Sequence, residues 1–332
     1  MIISRTPFRV SFFGGGTDYP GWFENYPGAV LATTIDKYCY ISCRYLPPFF
    51  DHASRIIYSR MEHVKKISDI QHPAVREILR FLKIRQGVEI HHDGDLPART
   101  GLGSSSSFTV GLLNSLYAMK GVMLTKERLA KEAIYIEREK CGDHVGCQDQ
   151  MLAAYGGFNL IEFGGRTHLQ VRRVTIPEDK LRLLQDHLML YFTGFSRTAS
   201  EIAKHQIENI PRKKNDLKVM CKMVFQALDI LNGKNLLPFG KLLHESWKIK
   251  RQLSDKVSTP FIDEIYDTAL RAGAVGGKLL GAGGGGFVLF FVPPSRQQKI
   301  REKLKKLLYV PFSFENLGSQ IIFYQPNGEY RK

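Results

Sequence analysis

Residues 97–107 read Pro97-Ala98-Arg99-Thr100-Gly101-Leu102-Gly103-Ser104-Ser105-Ser106-Ser107 and run straight into apolar residues at helical spacing, Val110, Leu113, Leu116 and Tyr117. Backbone N–H groups at a helix start, backed by the helix dipole, make an anion site. Small hydroxyls add donors there without blocking the approach. One serine suffices to cap a helix, so four in succession ask for a further reason. No lysine follows the glycines, which excludes the G-x-x-x-x-G-K-[ST] phosphate loop.

Two more glycine-rich loops stand near the two ends of the chain. Gly14-Gly15-Gly16-Thr17-Asp18-Tyr19 follows the strand-like run Arg9-Val10-Ser11-Phe12-Phe13. Its glycines allow a tight turn, and Gly16, Thr17, Asp18 and Tyr19 offer hydroxyl, carboxylate and backbone groups to a ligand. Gly281-Ala282-Gly283-Gly284-Gly285-Gly286 contains G-x-G-x-x-G, yet a strand-like run follows where a dinucleotide fold demands a helix. The residue twenty places beyond Gly286 is Lys306, not an acid. A dinucleotide site is therefore rejected. Five glycines in six positions still cost chain entropy, so close backbone approach to a ligand or another loop is expected, with Gly283 and Gly284 against the substrate.

The elements that must carry these loops follow from periodicity. Strands are predicted over 8–13, 30–34, 38–44 and 88–92, and helices over 106–119 and 126–139, the latter opened by Thr125 as N-cap. Residues 156–161 and 168–174 form a hairpin. Helices then fall at 198–208, 214–231, 239–253 and 261–271, strands at 274–280 and 287–292, a late helix at 297–308 and a last strand at 321–324. The break at Pro177-Glu178-Asp179 divides the chain into residues 1–180 and 181–332. The order fits an α+β protein of two sandwiches.

Composition narrows the class. With 332 residues, 43% hydrophobic and 11% aromatic, the chain can bury the cores of about two domains. No apolar run approaches the roughly 18 residues of a membrane helix, and the N-terminus lacks secretory-signal features, so no membrane association is expected. Five irregularly spaced cysteines do not suggest a disulfide framework, and a cytoplasmic enzyme fits best. Cys141, Asp143, His144 and Cys147 match no common zinc spacing. The net charge of +15 includes Lys241, Lys248, Lys250 and Arg251, read as solvated helix faces. Without aromatic–basic interleaving, no nucleic acid is expected.

Taken together and in this order, the three loops resemble the three motifs of the GHMP kinases. Thr6-Pro7-Phe8-Arg9-Val10-Ser11 through Tyr19 is similar to the first, residues 97–107 to the second, and Gly277-Lys278-Leu279-Leu280 through Gly286 to the third. The resemblance spans residues 5–287. It implies a ribosomal-S5-domain-2-like N-terminal half, a ferredoxin-like C-terminal half, and ATP with Mg²⁺ as cofactors. Pro97, Gly101, Leu102, Gly103 and Ser104 to Ser107 would bind the nucleotide phosphates. Within the family, Phe12-Phe13-Gly14-Gly15-Gly16-Thr17-Asp18-Tyr19-Pro20 and Thr33-Thr34-Ile35-Asp36-Lys37-Tyr38-Cys39 look like the kinases of D-glycero-D-manno-heptose 7-phosphate. That implies phosphorylation of an anomeric hydroxyl to the 1,7-bisphosphate, for nucleotide-activated heptose. Galactokinase has Gly-Glu-His-Thr-Asp where this chain has Gly14-Gly15-Gly16-Thr17-Asp18, which argues against galactose. Other free or phosphorylated sugars of the fucose type are the alternative, and a basic nucleic-acid-binding protein without catalysis the reading from another class.

The same resemblance places roles residue by residue. Gly146-Cys147-Gln148-Asp149-Gln150 resembles the stretch with the catalytic aspartate, making Asp149 the group that orients and deprotonates the sugar hydroxyl and Arg9 its basic neighbour. Glu137, twelve residues earlier, would bind Mg²⁺ together with Ser105, with Glu139 close by as a competitor. The chain would act on a small sugar phosphate as a monomer or homodimer. Ser196-Arg197-Thr198, before a helix, offers donors for a distal phosphate, so Arg197 is expected to read the 7-phosphate. Steady-state kinetics of Arg197→Ala should show a raised KM for the phosphorylated sugar; an unchanged KM would remove Arg197 from that role.

Overall fold

The structure, a computed structural model, describes residues 1–98, 100–165, 168–194 and 199–326. The chain opens with β1 (Ile2–Phe13), a single turn α1 (Pro20–Phe23) and β2 (Gly28–Tyr45). A hairpin β3 (Ser54–Ile57) and β4 (Met61–Val64), helix α2 (Pro73–Phe81) and β5 (Val88–Gly94) follow. Next come α3 (Ser104–Met119), α4 (Lys126–Tyr135) and α5 (Gln148–Tyr155), then the pair β6 (Asn159–Gly164) and β7 (His168–Arg173). The second half holds α6 (Glu178–Asp186), β8 (Leu188–Gly194), α7 (Ala199–Asn209), α8 (Lys214–Asn232), α9 (Leu237–Arg251), α10 (Pro260–Ala272), β9 (Gly276–Leu279), β10 (Gly286–Phe291), α11 (Pro294–Lys303) and β11 (Leu308–Tyr309). Two last strands, β12 (Phe314–Glu315) and β13 (Gln320–Tyr324), end it. No helix among the described residues is long and apolar enough to cross a membrane.

The strands form a nine-stranded and a four-stranded sheet. In the smaller sheet the order is β11-β8-β10-β9, which is 4-1-3-2 in chain order and the ferredoxin-like arrangement expected. In the larger sheet β1 and β2 run antiparallel over almost their whole lengths. Strands β12 and β13 return there, β12 pairing with β2 and β13 with β1. The C-terminal stretch thus completes the first sheet.

Where the predicted strands 30–34 and 38–44 were separated, β2 is continuous. Pro7 pairs with Tyr38 while Phe8 pairs with Ile35, so Asp36 and Lys37 bulge out of the ladder. The Asp36 carboxylate holds that bulge by accepting from Ser313 N–H at 2.8 Å and Lys37 Nζ at 2.9 Å. The predicted helix 126–139 also divides: α4 stops at Tyr135, and a π-helical turn covers Ile136–Lys140. Thr125 does cap α4, accepting from Arg128 N–H at 3.2 Å.

The first residues of β1 alternate between buried and half-buried, but from Thr6 to Phe13 every residue is buried. Helices α3, α5, α8 and α9 pack against β1. Phe12 and Phe13 meet the Phe239 ring of α9 edge-on, with centroids 5.5 and 5.1 Å apart, an arrangement favoured by the ring quadrupoles. This packing brings the C-terminal end of β1, the start of α3 and the third glycine loop together. Gly281, at φ +75°, lies so close to Gly101 that a methyl on it would sit 2.4 Å from the Gly101 Cα. Gly281→Ala should therefore destabilise the fold by about 2–5 kcal/mol, from left-handed backbone plus overpacking. Gly121, at φ +72° with open space around it, should cost only about 1–2 kcal/mol on the same change. Urea melts of the two variants test this, and equal losses would show that the loop contact carries no weight.

Candidate active site

Arg9 sits on the both-faces-buried part of β1 and reaches across to α5. Its Nε donates to Asp149 Oδ1 and its Nη2 to Asp149 Oδ2, both at 2.7 Å, a bidentate pair. The Arg9 side chain is 6% exposed and that of Asp149 24%, so the carboxylate is the partner that still meets solvent. Arg9 Nη1 donates to the Gly101 carbonyl at 2.6 Å, and the Arg9 N–H donates to the Leu102 carbonyl at 3.0 Å. The serine loop therefore lies directly on the pair. Gly103 leaves room for this: a methyl there would stand 3.2 Å from Arg9 Cγ and 3.3 Å from Asp149 Oδ2.

Gly103 is the N-cap of α3 in a left-handed conformation, φ 77°, and contributes no side-chain cap. Helix α3 starts at Ser104, two residues ahead of the predicted 106, and that phase decides which hydroxyl points where. Ser106 and Thr109, one turn apart, face Glu137 and donate to its carboxylate at 2.8 and 2.9 Å. Gln150 Nε2 donates to the same carboxylate. The serine beside Glu137 is thus Ser106, not Ser105, which is exposed. Ser107 donates its hydroxyl to the Pro7 carbonyl at 2.8 Å and Leu102 is wholly buried, so both serve the fold of the loop. Pro97 is exposed, its carbonyl accepting from the Thr100 hydroxyl at 2.8 Å. Glu137 is 1% exposed and makes no ion pair among the described residues. Burial pushes its carboxyl up to about 7, against the donors of Ser106, Gln150 and Thr109.

In the first loop the roles divide. The Thr17 hydroxyl lies 2.7 Å from the Gly14 carbonyl and 2.9 Å from that of Ala29, and accepts from Ala29 N–H at 3.1 Å. It is used up in closing the loop and is 0% exposed, contrary to a substrate-binding part. Asp18 accepts from Gly16 N–H and from Gln148 Nε2, each at 2.9 Å. Burial, and secondarily the nearby Asp149 charge, raises its carboxyl above the ordinary value. Gly16 and Tyr19 line a small cleft with Gln206, Lys213 and Leu217. Gly283 packs on the Val257 backbone, and Gly284 N–H donates to the Val257 carbonyl at 3.0 Å, so the third loop is backed by the α9–α10 connection.

Two buried cations escaped the sequence reading. Lys250, expected on a solvated face, is 6% exposed and donates to the Gly281 carbonyl at 2.5 Å. Lys278, in β9, is 3% exposed and donates to the Phe12 carbonyl at 2.8 Å. The spacing of α9 does separate Lys250 from Lys248, since Lys250 falls in phase with Phe239, Leu243 and Trp247 on the buried face and Lys248 on the opposite one; the signal for Lys278 was its place in the third motif. Arg197 lies outside the described residues.

The GHMP kinases N terminal domain description matches residues 64–157 and the GHMP kinases C terminal description residues 225–310. The chain is 32% identical, over 92% of its length and 93% of the relative, to the D-glycero-alpha-D-manno-heptose 7-phosphate kinase of Campylobacter jejuni. It is 27% identical, over 93% of its length and 36% of the relative, to L-fucokinase/L-fucose-1-P guanylyltransferase of Bacteroides fragilis. The crystal structure of a D-glycero-D-manno-heptose 1-phosphate kinase from Bacteroides thetaiotaomicron superimposes with a TM-score of 0.73 at 25% identity, covering 96% of this chain and 98% of the other.

Proposed function

The chain belongs to the GHMP kinase family and is a sugar kinase, and from that premise we propose that it transfers the γ-phosphoryl group of ATP to the anomeric hydroxyl of D-glycero-D-manno-heptose 7-phosphate. The observation that carries the mechanism is the bidentate Arg9–Asp149 pair under the serine loop. Phosphoryl transfer needs an acceptor oxygen in line, compensated charge and a proton acceptor. Arg9 fixes both oxygens of Asp149, and each oxygen keeps lone-pair capacity for the sugar hydroxyl. Asp149 takes the hydroxyl proton as the new P–O bond forms. The bond from the γ-phosphorus to the β,γ-bridging oxygen breaks, ADP leaving with that electron pair, and the guanidinium offsets the charge growing on the acceptor oxygen. The first turn of α3 receives the nucleotide phosphates. In this reading Asp18, Gly16 and Tyr19 face the sugar.

The donors around Glu137 suit Mg²⁺. A carboxylate and a hydroxyl from Glu137 and Ser106 are hard oxygen ligands, and the buried Glu137 charge has no cation paired with it among the described residues. When bound, Mg²⁺ would neutralise charge on the β- and γ-phosphates. The 7-phosphate assignment rests on the similarity to the Campylobacter jejuni kinase and on the donors at Arg197.

ATP consumption over a panel of free and phosphorylated hexoses and heptoses tests the proposal. The highest kcat/KM should belong to D-glycero-D-manno-heptose 7-phosphate; a free sugar or a hexose phosphate in first place refutes that acceptor. Asp149→Asn should lower kcat by about 10²–10⁴-fold, and near-normal turnover would remove Asp149 from the reaction.

A further inference from the structure

Lys250 is the last-turn lysine of α9 whose ammonium turns inward. Its neighbour Lys248 stays on the surface and pairs with Glu245 at 3.1 Å. Taking an ammonium out of water costs several kcal/mol unless something recompenses it. Here the recompense lies in the third glycine loop: Lys250 Nζ donates to the Gly281 carbonyl at 2.5 Å and to the Leu279 carbonyl at 3.3 Å. From there a continuous set of contacts leads to the reacting centre. Gly281 packs against Gly101. The Gly101 carbonyl accepts from Arg9 at 2.6 Å, and Arg9 grips Asp149 through two bonds of 2.7 Å. Lys278 ties the same region to β1 at Phe12, three residues beyond Arg9.

We propose that Lys250 is a positioning residue for phosphoryl transfer: held on the Leu279 and Gly281 carbonyls, its ammonium seats the third glycine loop against the serine loop and so fixes the orientation of Arg9 and Asp149. This rests on the reading of the Arg9–Asp149 pair as the transfer centre. The charged groups facing Lys250 are Arg9 from β1, Lys278 from β9, Asp18 from the first loop and Asp149 from α5. Burial, then Arg9, pulls the Lys250 ammonium down to about 8, against the opposing pull of Asp18 and Asp149. The seat is therefore lost as pH rises through that value. Above it the unfolded chain holds a proton that the folded chain has released, so this group's contribution to stability rises with pH. Falling turnover in that window is accordingly separable from unfolding.

The test is the pH dependence of kcat/KM from pH 6.5 to 9.5, with ATP and the best acceptor of the sugar panel, for wild type, Lys250→Met and Lys250→Arg. Wild type should fall about tenfold per pH unit on the alkaline side. Lys250→Met should start about 10²-fold lower at neutral pH, the scale of a misplaced reacting group, and should lack the alkaline limb. Arginine does not titrate in this range, so Lys250→Arg should also lack the limb, and it carries the test if Lys250→Met does not fold. A wild-type profile with no alkaline limb, a limb retained in either variant, or Lys250→Met within about threefold of wild type at neutral pH would overturn the assignment. Asp149→Asn in the same assay separates the two ideas: undiminished turnover there sinks the transfer-centre reading, whatever Lys250 does.

Discussion

The structure depends on a guanidinium held almost entirely out of water. Arg9 cannot be buried alone, because an unpaired buried charge costs several kcal/mol. It is satisfied by two groups from distant parts of the chain, the Asp149 carboxylate through both oxygens and the carbonyl of Gly101. Bringing them together requires the strand that carries Arg9, the helix that carries Asp149 and the loop between β5 and α3 to converge at one point. The requirement is reciprocal. Asp149 gains a fixed orientation, the serine loop gains an anchor, and the developing charge of the reaction meets a cation already in place.

Glycine makes that convergence sterically feasible. A side chain at Gly103 would press on both members of the pair, and one at Gly281 would strike the Gly101 backbone. The third loop is thus glycine-rich where it lies against other backbone, Gly281 on Gly101 and Gly283 on Val257. Lys278 ties β9 of the smaller sheet to the end of β1, and Lys250 ties α9 to the third loop, each through a carbonyl. Thr17 does the equivalent for the first loop, at the expense of its own availability to a sugar.

Much of this was legible in the sequence, because glycines, serines and apolar periodicity are local signals. The three loops, the α+β order and the pairing of Arg9 with Asp149 could be anticipated from residue types and family resemblance. What could not was whatever depends on phase or on long-range packing. Helix α3 begins at Ser104 because Gly103 adopts a left-handed cap, and this turns Ser106 rather than Ser105 toward Glu137. The Asp36–Lys37 bulge interrupts an apolar run without ending the strand, so one strand read as two. Strands β12 and β13 are short, and their partners lie almost the whole chain away. Lys250 lies at the spacing of the buried face of α9, with Phe239, Leu243 and Trp247, but the carbonyls that satisfy its ammonium appear only once α9 is docked on β9.

The central claim is that Arg9 and Asp149 act as one unit. A double-mutant cycle on kcat/KM, with Arg9→Met, Asp149→Asn and the pair together, measures this directly. A unit predicts that the double variant is little worse than the poorer single one, with a coupling of about 2–3 kcal/mol. Losses that add to within about 0.5 kcal/mol would mean that the two residues work independently, and would contradict the account.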